Sequence, residues 1–111
     1  MSNTPFVRPE DADSPRRHWT ITTILDAGKE GTMAVALGKW RDDDGNVSNV
    51  IALRWNGTSD NPIGNPQSRG LPTWFIVESG PYTEAIINAL DSDMRELVRK
   101  FIPKPKHHAS P

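Results

Sequence analysis

Cysteine is absent from this chain of 111 residues, and its absence removes disulfides, thiolate chemistry and cysteine-ligated zinc together. Long apolar runs are missing too. Nothing approaches the roughly 18 residues that suggest a membrane-spanning helix, and no apolar segment of the signal-peptide kind follows Met1. The expectation is a cytoplasmic protein with no membrane partner. An excess of basic charge is lacking as well: 13 Lys and Arg stand against 14 Asp and Glu. Within residues 18–102 the balance is eight against eleven, or −3, whereas a non-specific duplex binder usually carries a basic domain. Histidine is scarce. Beyond His18 there are only His107 and His108, in a Pro-containing tail, and no Gly-x-Ser-x-Gly elbow accompanies them. The chain is therefore expected to be no enzyme and to hold neither a metal nor another cofactor.

What remains is patterned for one small α+β domain. Residues 1–17 contain three prolines, several charges and a single apolar pair, Phe6-Val7, and read as a solvated, disordered tail. Residues 18–102 form the domain, and 103–111 are a second disordered tail, short and basic. In the domain, Trp19 to Leu25 is rich in β-branched and aromatic residues and predicts a strand. The run Thr32 to Trp40 sets Met33, Val35 and Leu37 against Ala34, Ala36 and Gly38, a period of two. Asp44-Gly45-Asn46 then predicts a hairpin reversal into Val50 to Trp55, with Ile51, Leu53 and Trp55 on one face and Val50, Ala52 and Arg54 on the other.

Residues 56–72, with three prolines and three glycines, read as a long irregular connection. Thr73 to Val77 reads as a fourth strand, apolar on both faces and hence central or covered. After Ser79-Gly80-Pro81 the period changes. Ile86, Leu90, Met94, Leu97 and Phe101 recur at helical spacing, flanked by Ile87 and Val98, and Asp91-Ser92-Asp93 is a candidate break into two helices. The expected architecture is a four-stranded curved antiparallel β-sheet followed by a C-terminal helical segment (β-β-β-β-α). Because so small a domain buries a low fraction of its surface, an oligomer is expected.

Two apparent motifs fail on spacing. Asp42-Asp43-Asp44-Gly45 resembles part of a calcium loop, but with Gly45 at the sixth position the first and twelfth become Trp40 and Ile51, where carboxylates are required. Asn46-Val47-Ser48 and Asn56-Gly57-Thr58 fit the glycosylation sequon but stand without a signal peptide.

Element order and three short motifs carry a resemblance. Ile51-Ala52-Leu53-Arg54-Trp55 ends a strand in an Arg-aromatic pair, Arg69-Gly70-Leu71 leads into the fourth strand, and a helix starts at Tyr82 to Leu90. In these the chain resembles the single-stranded-DNA-binding coactivators of the positive-cofactor-4 kind and, more distantly, the plant Whirly proteins. The resemblance implies a curved sheet that holds single-stranded nucleic acid and a helix that makes a homodimer. It departs from the family in a longer loop before Arg69 and in lacking a lysine-rich character. Small residues at Ala34, Ala36, Gly38 and Ala52 would leave a shallow trough on the sheet, with Trp40 and Arg54 at its ends to stack a base and meet a phosphate. The candidate nucleic-acid-binding residues are thus Trp40, Arg41, Arg54, Arg69 and Trp74. The alternative is that the small residues admit a second packed layer and that Trp40 closes a core edge. The domain would then be a protein-interaction module, an adaptor or inhibitor docking through its sheet face and Gly/Pro-rich loop.

Overall fold

The structure, a computed structural model, describes residues 6–104. Strands β1 (Trp19–Asp26), β2 (Met33–Arg41), β3 (Val47–Trp55) and β6 (Phe75–Val77) form one antiparallel sheet in the order β1-β2-β3-β6. Helices α1 (Pro81–Ala89) and α2 (Ser92–Phe101) follow. The four-stranded sheet with C-terminal helices is the expected α+β arrangement. The connection expected to be irregular also contains a two-stranded hairpin, β4 (Gln67–Ser68) and β5 (Leu71–Pro72). Its turn residues Arg69 and Gly70 both lie at positive φ, 53° and 77°, which suits a tight hairpin connection.

The β2–β3 hairpin is regular through nine facing pairs, from Met33↔Trp55 to Arg41↔Val47. Its reversal is fixed by Asp42, whose Oδ1 accepts the backbone N–H groups of Asn46 and Asp44, each at 2.9 Å. Those bonds, that from Asn46 foremost, hold the Asp42 carboxyl below its usual range. The acidic triplet is therefore built into a turn.

Period-two alternation then sorts the sheet into two faces. Leu37 and Ile51 meet Ile87 of α1 and Val98 of α2 in one buried cluster, with Val35, Leu53, Ile86, Leu90 and Phe101 packed around it. Ile87 and Val98, read as flanking positions, are the helical residues that are fully buried, while Leu97 is exposed. The reason is the break: Asp91 accepts the Met94 N–H at 2.9 Å as an N-cap and starts a new helix, so one continuous helical stripe does not apply across it. Arg99 donates both terminal nitrogens to the two Glu84 carboxylate oxygens, at 2.6 and 3.0 Å, tying α2 to α1.

The other face is where the sequence reading needs correction. Ala34, Ala36 and Ala52 are fully buried, in one cluster with Ala12, Trp19 and Trp74. Residues 6–17 are therefore not a solvated tail. Pro9–Asp11 forms a 3-10 turn, Val7 N–H donates to the Pro62 carbonyl at 2.8 Å, and the Trp74 indole N–H donates to the Ala12 carbonyl. The segment supplies the volume that three alanines and a glycine lack. The fourth strand is not central: among the described residues β6 has one strand neighbour and ends the sheet, with Phe75 exposed. The parts of the two predicted tails at 1–5 and 105–111 lie outside the described residues.

Two outcomes follow from this packing. A Cβ on Gly38 would lie 2.4 Å from the buried Trp19 ring and 2.5 Å from the Thr20 carbonyl oxygen. Gly38→Ala is expected to cost ~1–3 kcal/mol by overpacking and to lower the melting temperature by about 5–15 °C. The second concerns acid. Hydrogen bonding from Arg99 lowers the Glu84 pKa in the folded state, so the stabilisation is fully present above the unfolded glutamate value and is lost as pH falls through the folded one. Calorimetry should show Glu84→Gln less stable than the parent at pH 7, by on the order of 1 kcal/mol, with the gap closing on acidification.

Candidate functional site

The five sequence-derived site residues do not form one surface. Arg54 is 1% exposed, and its two terminal nitrogens donate to the carbonyl oxygens of Thr73 and Ile63. Its guanidinium lies 5.9 Å from the centre of the Trp74 ring, and burial lowers its pKa from the usual guanidinium value. Trp74 is 6% exposed, held between Trp19 and the N-terminal segment. Both side chains are thus internal struts, and neither presents a face to a ligand. The trough between Trp40 and Arg54 is filled by Trp19, Trp74 and the segment around Val7 and Ala12. Arg69 is exposed at the tip of the β4–β5 hairpin, on an element of its own.

Trp40 and Arg41 remain, and the register brings new residues to them. Pairing of Trp19 with Trp40 and of Thr20 with Lys39 places the entry to β1 beside the end of β2. Arg41 N–H donates to the His18 carbonyl at 2.7 Å, and the His18 ring stacks on Trp40 with centroids 5.2 Å apart and planes 20° from parallel. His18 Nδ1 lies 2.6 Å from the Arg41 carbonyl oxygen; since a carbonyl only accepts, that nitrogen carries a proton and donates. The ring is therefore clamped from two sides.

Next to this clamp is a cleft of about 250 Å³ lined by Arg16, Arg17, His18, Thr20, Lys39 and Arg41, with Val47 at its wall. Among the described residues four cations line it and no carboxylate does. The nearest acids act at the periphery: Asp13 pairs with Arg16 at 3.0 Å, and Asp43 stands 3.5 Å from His18 Nε2. Lys39 is oriented by donation to Asn49 Oδ1 at 2.9 Å and by lying over the Phe101 ring. Among the described residues Arg17 and Arg41 have no ion-pair partner. Trp40, half-buried, also borders a second hollow with Ser48, Val50, Ile76, Glu78 and Ser79.

No family model matches the chain, and comparison with curated proteins and with solved structures gave no match either. Function must be read from geometry. Chemically, the cleft is a receptor for anions: charge-assisted donors of fixed position around a volume suited to one or two phosphate groups. Among the described residues no group of three or more His, Asp or Glu side chains is placed to hold a metal ion, and no helix is long and apolar enough to cross a membrane.

Sequence reasoning missed Arg16, Arg17, His18 and Lys39. The signal was an Arg-Arg doublet just before a strand, together with Lys39 and Arg41 two residues apart on one face of the next. Only the β1–β2 register unites them.

These positions predict opposite behaviour for two arginines. Arg54→Ala strands two partly buried carbonyls, each worth up to ~1–3 kcal/mol when unsatisfied, and empties a core volume. It should abolish cooperative unfolding or lower its midpoint by well over ~10 °C. Arg41→Ala, at an exposed strand end, should leave the thermal midpoint nearly unchanged in the same melts.

Proposed function

We propose that this domain is a non-enzymatic binding module for single-stranded nucleic acid, engaged at the strand-end cleft rather than on the sheet face. The observation that carries this reading is the cleft itself: four cations and a histidine with no lining carboxylate among the described residues, in a chain whose net charge is −1. Such a concentration of one sign against the overall balance is electrostatically costly unless an anion meets it. Trp40 adds the second requirement of a single-strand site. It is half-buried, braced by His18, and borders a hollow on the sheet face opposite Lys39 and Arg41, so a strand crossing the end of β2 could stack a base there and set its phosphates against the cleft on the other side of His18. Glu78 borders the same hollow and would turn a phosphate away from it, which favours a base on that side. The resemblance to the positive-cofactor-4 kind points to the same ligand class, with different residues.

The test is a fluorescence-anisotropy titration of a mixed-sequence single strand of about 20 nucleotides, with its duplex as control. With about two phosphates neutralised, affinity should fall roughly 25-fold per tenfold rise in salt, and the single strand should bind more tightly than the duplex. Arg17→Ala and Arg41→Ala should each weaken binding by at least about fivefold and flatten the salt dependence. Trp40→Ala should remove ~1–3 kcal/mol of stacking, and Arg69→Ala should change little. Affinity indifferent to Arg17 and Arg41 would refute the cleft as the site.

A further inference from the structure

The same sheet face that carries the basic cleft at one end carries an uncovered apolar surface at the other. Along β2 the alternating positions run Met33, Val35, Leu37, Lys39, Arg41. The helices cover the middle, over Leu37 and Ile51, and leave the Met33 end open. There Trp55, Phe75 and Tyr82 are 52%, 63% and 77% exposed. Trp55 borders a hollow of about 150 Å³ with Met33, Leu53 and Phe75. Leu53 and Phe75 continue into a groove of about 560 Å³ that runs to Ile86 and Tyr82 of α1. The two are therefore one surface.

We infer that this surface is the interface of a homodimer, packed against the same patch of a second copy about a two-fold axis. Two observations select that occupant. The first is charge. An isologous contact sets a patch against itself, so any net charge on it meets its like. This patch has almost none: among the described residues Glu78 is the one charged residue lining the groove, and the only one lining the hollow, Arg54, is buried. That neutrality stands out in a chain of which 24% of residues are charged. The second is area. Three aromatic side chains exposed to this extent present on the order of 400 Å², and Met33, Leu53 and Ile86 extend the patch toward the ~800 Å² per partner of a standard interface. Anchors of this type, aromatic and central, are those that carry interface energy. β6, the strand that presents Phe75, also ends the sheet with a single strand neighbour.

Sedimentation velocity on the full chain, without nucleic acid and from about 1 to 100 µM, tests this independently of the proposed ligand. The expected result is a reversible dimer that persists at high salt. Tyr82→Asp is the discriminating variant: it puts a charge in the patch at the second residue of α1, where an acidic side chain favours the helix. It should raise the dimer dissociation constant at least tenfold while circular dichroism and thermal melting stay parental. Phe75→Asp should do the same from the sheet. A parental chain that is monomeric throughout the range overturns the inference. So does a dimer that both variants leave intact, or one that is lost on Leu97→Asp, on the outer face of α2, and not on Tyr82→Asp.

Discussion

Everything else in this fold depends on covering a sheet face that has no bulk of its own. Ala34, Ala36, Gly38 and Ala52 bring backbone close to whatever lies above them, and a close-packed interior tolerates no gap there. The indoles of Trp19 and Trp74, wide and flat, fill the layer with the segment around Ala12. Arg54 is then enclosed at one end of that layer and held by backbone carbonyls of the connection between β3 and β6. The long loop, the N-terminal segment and the sheet are thus locked through two donors, the Arg54 guanidinium and the Trp74 indole N–H. A buried arginine bonded to carbonyls contributes order more than net stability, because its desolvation offsets much of the gain.

Period-two and helical patterns made the architecture legible, because each reports which side of an element avoids water. Strands β1 to β3, the Asp42 turn and the break at Asp91 all follow from local chemistry. The face assignments of Arg54 and Ala52 against Ile51 and Leu53 were equally readable. What local chemistry does not encode is which segment covers a face. Residues 6–17 are polar and proline-rich by count, yet only Val7, Pro9 and Ala12 need to touch the sheet, too few to register as periodicity. The same blindness made β6 look central, since an edge strand with an exposed Phe75 reads as apolar on both faces.

The candidate site shows the limit more sharply. Arg54 and Trp74 were chosen for being an arginine and a tryptophan beside strand ends, and both residue types serve interiors and ligands alike. Deciding between the roles takes a burial value, which depends on the covering segment. Arg16 and Arg17 were passed over for the complementary reason: they lie in sequence within the stretch read as a tail. Antiparallel pairing of β1 with β2 converts a separation of more than twenty residues into one wall of a cleft.

The two ends of the helix-covered face have opposite character, and the separation has a physical consequence. From Met33 to Arg41 is eight residues of extended strand, about 26 Å, so the apolar end and the basic end do not compete for one partner. In the proposed dimer, a two-fold axis at the apolar end and across the strands would direct the two basic clefts away from each other, keeping eight cations from facing across the interface. The same arrangement would give one polyanion two points of attachment. A single cleft of this size holds few phosphates and binds weakly on its own; a strand long enough to reach both clefts gains from the effective concentration that tethering creates. A strand too short to reach gains nothing, however well its bases stack on Trp40. Affinity in such an arrangement rises with ligand length in a step rather than smoothly, and the step disappears when the apolar end no longer pairs.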